Sequence, residues 1–282
     1  QVSLSFIILL SPIVILFRIL RNKEDKKRFI EKFTIYSKKR AKGKLIWFHG
    51  ASVGEILSVI PVIKKYEKDK SIKQILITSS TLSSSKVLLK FKFKKTIHQF
   101  YPLDYFVFAR RFLKYWKPDI AIFIDSEIWP SMFKTIEKCK IPLVLLNARI
   151  TKKTFIRWMK IKKFSKSIFD KISIAYPQNL ETKKFLERLE VKNINLIGNL
   201  KFSETDSEIQ DTISYQLKSQ LKNKKIWIAS STHASEEVFC AKAHIELKKK
   251  IKNLITIIIP RHVHRAKEIV TDIKNLNLKV IT

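Results

Sequence analysis

From residue 45 onward, short apolar runs alternate with longer stretches of helical periodicity, and that alternation leaves few folds open. The apolar runs occupy residues 45–49, 74–78, 98–101, 120–124, 143–146, 172–175, 194–197, 226–229, 255–259 and 278–281. Helical patterns lie between them, among them 55–68, 105–116, 131–138, 180–189, 235–250 and 264–275. Strands apolar on both faces must be covered on both faces. Alternating with helices, they predict a parallel, doubly wound α/β sheet of Rossmann-like topology. Residues 203–211 are polar and aperiodic and read as a linker. The expected division is a helix over 1–22, a first α/β domain over 23–204 and part of a second over 205–282. The chain starts at Gln1 and stops at Thr282 inside an apolar run, which reads as a piece open at both ends.

The N-terminus adds a membrane signal. Residues 4–17 are almost entirely apolar, near the lower limit of about 17–25 residues for a spanning helix. Arg18, Arg21, Lys23, Lys26, Lys27 and Arg28 follow, a flank that by the positive-inside rule faces the cytoplasm. A buried core helix is the other reading of this run. Across the chain 57 Lys and Arg face 24 Asp and Glu, a formal charge of +33. Such a balance fits an anionic membrane surface, a phosphorylated substrate or a nucleic acid, or compositional drift with no partner at all. Two cysteines exclude a disulfide scaffold.

Polar clusters follow the predicted strands, where a doubly wound sheet binds ligands. The first is H-G-A-S-V-G-E, His49 to Glu55, whose Gly50 and Gly54 allow a tight turn and a close ligand approach. Ser52 and Glu55 have capping-box spacing, so Glu55 reads either as a base or as a helix tie, with the helix dipole lowering its pKa. The second is D-S-E-I-W-P, with Asp125 and Glu127 facing a cleft or capping a helix. Next come Asn147 and Arg149, then G-N-L-K ending at Lys201. Ser231, Thr232 and His233 sit at a strand-to-helix turn suited to phosphate or to simple capping. Pro260 and Arg261 open a cationic cluster with His262, His264 and Arg265. No carboxylate or thiolate pattern completes a metal site from these histidines, so no metal is expected. Six clusters on one edge of two sheets describe an enzyme with a cleft between two α/β domains.

In this order the motifs resemble those of the 3-deoxy-D-manno-octulosonic acid (Kdo) transferases of lipopolysaccharide biosynthesis. They are H-G-A-S-V-G-E, Q-F-Y-P-L-D at 99–104, S-E-I-W-P, L-N-A-R-I, G-N-L-K-F, S-T-H-x-x-E-E and P-R-H-x-x-R. The resemblance implies a GT-B fold of two Rossmann-like domains, anchored in the inner membrane and facing the cytoplasm. It implies inverting transfer of Kdo from CMP-Kdo to lipid IVA, with no cofactor and no nucleic-acid partner. Carried over by motif, Glu55 is the general base, and Asp125 and Lys201 stabilise the transition state. Asp125 stands where the family usually has Glu. Pro260 and Arg261 begin the CMP-binding motif, with Ser231, Thr232 and His233 on the same side. Gly50, Ser52, Gly54, Glu127, Asn147 and Arg149 belong to the acceptor-side loops. The family's later Gly-rich turn and N-x-x-E-P stretch have no counterpart before Thr282, and Val263 and His264 depart from its pattern. Two other readings stand beside this one: an inactive remnant of the fold, and a membrane-bound protein that binds nucleic acid or other anions.

Overall fold

A computed structural model describes residues 14–21, 24–200, 219 and 221–281. By its internal packing the chain forms two units, residues 1–207 and 208–282.

The first unit is built on six parallel strands: β1 (Lys44–His49), β2 (Ile72–Ser79), β3 (Thr96–Phe100), β4 (Ile120–Ile124), β5 (Leu143–Ala148) and β6 (Ile174–Pro177). Their order across the sheet is β3-β2-β1-β4-β5-β6. Alternate residues of β1 show why both faces are covered. Leu45 and Trp47 enter one core with Leu76, Phe112, Trp116, Phe123 and Phe133. Ile46 and Phe48 enter the other with Ile56, Ile63, Ile75, Ile77 and Ile124. Fully burying a large apolar side chain contributes about 1.5–3 kcal/mol, so two faces of such residues fix the strand register.

The connecting helices are α1 (Val53–Ser58) and α2 (Ile60–Lys68) after β1, α3 (Leu82–Leu88) after β2 and α4 (Phe106–Trp116) after β3. α5 (Pro130–Lys138) follows β4, α6 (Lys152–Lys160) and α7 (Lys162–Phe169) follow β5, and α8 (Leu180–Arg188) follows β6. The strand order reverses between β1 and β4. The crevice at their carboxyl ends is therefore the switch point where such sheets bind ligands.

Both outer edges of the sheet have some of their backbone groups occupied. Beside β3, Glu31 in the 3-10 turn Phe29–Phe33 accepts the Phe100 N–H at 2.7 Å, and Arg28 Nη2 donates to the His98 carbonyl at 2.8 Å. Arg28 and Glu31 also pair in two-pronged fashion, at 2.8 and 2.9 Å. Beside β6, a single bridge joins Ala175 to Ile194.

The second unit holds two parallel strands among its described residues, β7 (Lys225–Thr232) and β8 (Leu254–Pro260). α9 (Glu236–Lys250) connects them and α10 (Ala266–Lys274) follows. Ala241, Ile269 and Ile273 form its small core.

Three expectations are corrected. The helix expected over 55–68 is two helices broken at Val59, because Pro61 lies in the first turn of α2 and has no N–H to continue α1. The strand expected at 194–197 ends after its one bridge; Leu196 and Ile197 are exposed, and Gly198, at φ +82°, turns the chain away. The apolar run at 278–281 forms no ladder among the described residues. Asn277 turns at φ +57°, and Leu278 and Val280 pack instead on the Ile269 core.

The anchor expected over 1–22 falls mainly outside the described residues. Residues 14–20 are helical, with Ile15 buried and Val14, Leu16, Phe17 and Leu20 exposed. No helix among the described residues is long and apolar enough to cross a membrane.

Candidate active site

The turn from β1 into α1 places Glu55 at the switch point. Ser52 is the N-cap of α1 in extended conformation, and its hydroxyl accepts the Glu55 N–H at 3.3 Å. In return the Glu55 carboxylate accepts the Ser52 N–H at 3.4 Å, and it also accepts the Ala51 N–H at 2.7 Å and the Ser52 hydroxyl at 2.8 Å. The capping box is thus present. The sequence reading had the helix dipole lowering the Glu55 pKa; the net direction is the reverse. Burial pushes this carboxyl above its ordinary value, the Ser52 hydroxyl pulls it partly back, and the Glu127 charge adds to the rise.

Gly50 sits in a tight space. A Cβ built there lies 3.1 Å from Glu55 Cβ and 3.2 Å from both Ile124 Cδ1 and Ile56 Cδ1. Gly54 is the second residue of α1.

Across the crevice, Asp125 leaves β4 in the left-handed region at φ +61°, as does Asn147 in β5 at φ +53°. Asp125 donates its N–H to the Leu146 carbonyl at 3.0 Å and accepts the Arg149 N–H at 3.2 Å, which stitches the two loops together. Asn147 is buried and its Oδ1 accepts the Leu200 N–H at 3.1 Å. That contact brings the Gly198–Leu200 stretch to the same edge, although no strand precedes it. Arg149 is exposed, and Lys201 lies outside the described residues.

Glu127 points back toward β1. Its Oε2 accepts the Trp129 indole N–H at 2.8 Å and stands 3.2 Å from His49 Nε2. His49 is fully buried, stacked on Tyr101 with ring centres 3.8 Å apart. Motif reading marked Glu127 and passed over His49 and Trp129 as functional residues, although both lie inside the quoted motifs.

In the second unit, Ser231 sits at φ +59° where β7 bulges against β8. Thr232 is buried, and its hydroxyl donates to Glu237 Oε1 at 3.0 Å, where Arg265 Nη1 also arrives at 3.1 Å. Burial opposes ionisation of Glu237. Hydrogen bonds from its own backbone, Thr232 and Arg265 outweigh that and hold the carboxyl below its ordinary value. The His233 N–H donates to Glu236 at 2.7 Å, and the Arg261 N–H to the Thr232 carbonyl at 2.9 Å. Ser235, the N-cap of α9, stands at φ +75° without a side-chain cap bond, and Glu236 tethers the turn instead. His233, His262, His264 and Arg261 are exposed together. No group of three His, Cys, Asp or Glu among the described residues has the arrangement of a metal site.

The fold and its loops place the chain among α/β proteins of Rossmann-like architecture with parallel sheets. It is similar to the crystal structure of UDP-GlcNAc 2-epimerase from Neisseria meningitidis bound to UDP-GlcNAc, with a TM-score of 0.58 and 14% identity over 82% of this chain and 69% of that one. That likeness is one of fold alone.

The sequence carries the identification further. Residues 27–204 match the family model of the 3-deoxy-D-manno-octulosonic-acid transferases (kdotransferases), and the chain belongs to that family. It is 35% identical to the 3-deoxy-D-manno-octulosonic acid transferase of Rickettsia bellii over 94% of this chain and 64% of that protein. It is 30% identical to the Haemophilus influenzae protein of the same name, over 78% of this chain and 52% of that protein. The chain thus spans between about half and two thirds of the length of these relatives.

Proposed function

We propose that the whole protein is an inverting glycosyltransferase that moves Kdo from CMP-Kdo to lipid IVA. It works at the cytoplasmic face of the inner membrane, held there by residues 1–22 and their basic flank. Family membership supports Kdo as the transferred group. The observation that carries the reaction is Glu55, a carboxylate at the switch point whose proton affinity is raised by burial and by Glu127.

In the reaction an acceptor hydroxyl oxygen attacks the anomeric carbon of Kdo. Its proton passes to Glu55, and the bond from that carbon to the CMP phosphate oxygen breaks with both electrons leaving on phosphate. Attack from the face opposite the leaving group inverts the centre. A base with raised pKa suits this step, because it takes the proton more strongly. Asp125 and Lys201 would oppose the charges that develop. Ser231, Thr232, His233, Pro260 and Arg261 would hold the CMP moiety, with the cationic and hydroxyl groups of that edge suited to a phosphate. Gly50, Ser52, Gly54, Glu127, Asn147 and Arg149 shape the acceptor side. No metal or other cofactor enters the scheme.

The test is transfer of labelled Kdo to lipid IVA by the full native polypeptide. Glu55→Gln should lower the rate by about 10²–10⁴-fold, the usual loss when general-base help is removed. A Glu55→Gln protein that transfers at the native rate sinks the proposed role. Lack of transfer by the native protein would favour the inactive-remnant reading.

A further inference from the structure

His49 has no part in the scheme above, yet both its ring nitrogens are engaged at full burial. The ring is caged by Tyr101 at 3.8 Å, Phe123 at 5.1 Å and Trp129 at 6.0 Å between centres, so its orientation is set by packing. Nε2 lies 3.2 Å from Glu127 Oε2. A carboxylate only accepts, so Nε2 carries the hydrogen. Nδ1 lies 2.9 Å from Thr78 Oγ1. That hydroxyl already accepts the Trp47 indole N–H at 2.9 Å, and its own hydrogen faces Nδ1 at 2.9 Å and the Phe48 carbonyl at 3.3 Å, while the Thr78 carbonyl also stands 3.2 Å from Nδ1. With the hydrogen on Nε2, Nδ1 accepts from the Thr78 hydroxyl, and the Thr78 carbonyl takes the Gly50 N–H at 3.1 Å. Burial holds the His49 pKa below its ordinary value against the opposing pull of Glu127, Thr78 and Asp104.

The chain runs Trp47 to Thr78 to His49 to Glu127, which leaves β4 next to the end of β1 that leads to Glu55, and the Glu127 charge acts on Glu55. The other groups acting on Glu55 are the Ser52 hydroxyl and the Ala51 and Ser52 amides, all on its own turn. We propose that His49 is a positioning residue: with the Trp129 indole, its Nε2–H anchors the Glu127 carboxylate beside the Glu55 base. It touches no substrate and acts only through Glu127. Two donors, one at the end of β1 and one on its own loop, give that carboxylate one orientation where a single donor would leave it free to swing. This inference rests on the proposed role of Glu55.

The test reads Glu55 directly, by NMR titration of carboxyl-labelled glutamates in the full native polypeptide. The Glu55 signal is the one lost in Glu55→Gln. In the native protein its midpoint should lie above the ordinary glutamate value. His49→Asn keeps a polar group near Thr78 but cannot reach Glu127, and should lower the midpoint by about half a pH unit or more. His49→Gln places an amide N–H near the Nε2 position and should restore the native midpoint. Adding His49→Asn to Glu127→Gln should move Glu55 no further than Glu127→Gln alone. An unmoved midpoint in His49→Asn, or additive shifts in the double variant, overturns the role. A second measurement needs no variant: nitrogen-labelled histidine in the native protein should give His49 as the Nε2–H tautomer, and an Nδ1–H tautomer overturns the proposal. Kdo transfer is assayed on the same samples. A native protein without transfer overturns the functional reading, whereas an unmoved Glu55 titration overturns the role of His49.

Discussion

His98 illustrates how one side chain's partners dictate its chemistry. Arg28 Nη2 stands 3.0 Å from its Nδ1, and a guanidinium only donates. Nδ1 is therefore the acceptor, and Nε2–H donates to Ser79 Oγ at 2.9 Å. Protonating this ring would set a cation against Arg28. Burial first, then the Arg28 and Lys38 charges, bring its pKa down to about 3. The folded value lies below the unfolded one, so the unfolded chain binds the proton first as pH falls. The stability at stake is present in full above pH ~6.5 and is lost as pH drops from there toward 3, at up to about 1.4 kcal/mol per pH unit. Urea midpoints measured between pH 7 and 4 should fall in the native protein and fall less steeply in His98→Gln. Equal slopes would contradict this account.

At the scale of elements, the β1–α1 turn depends on what is missing from it. Gly50 leaves room for Glu55, Ile56 and Ile124, each within 3.2 Å of where a Cβ would stand. Gly50→Ala should cost about 1–3 kcal/mol through overpacking and displace Glu55, read as a lower urea midpoint together with reduced transfer. A native-like midpoint would mean that the loop yields freely. This turn was legible in the sequence because its parts are local: an apolar run, two glycines, then Ser52 and Glu55 at cap spacing. The Asp125 and Asn147 loops were legible for the same reason. The His49–Glu127 contact was not, because it spans 78 residues and depends on how the two loops approach across the switch point. Nor was the sign of the Glu55 shift, which burial decides. The apolar runs at 194–197 and 278–281 misled because hydrophobicity alone cannot tell a strand from a segment that packs without a ladder partner.

For the whole molecule, charge is the dominant quantity. With 57 cations and 24 carboxylates, pairing every carboxylate still leaves 33 cations without one. The exposed pairs do little to offset this, since surface ion pairs contribute about 0–1 kcal/mol each. Self-repulsion of that size is relieved by salt, whose screening length falls from about 30 Å at 0.01 M to about 8 Å at 0.15 M. The melting temperature of the native polypeptide should rise over that range, and a fall would mean that specific ion pairs outweigh the net charge. The same excess suits the anionic membrane and acceptor proposed above. The Arg28–Glu31 clasp on β3 and the Ile194 bridge on β6 have a consequence for crowded surroundings. A sheet with open borders invites a neighbour's strand to anneal to it. Here a side-chain pair occupies hydrogen-bonding groups on one border of the six-stranded sheet and a short crossing of backbone occupies them on the other, so a sister chain finds less bare ladder on that sheet on which to start a fibre.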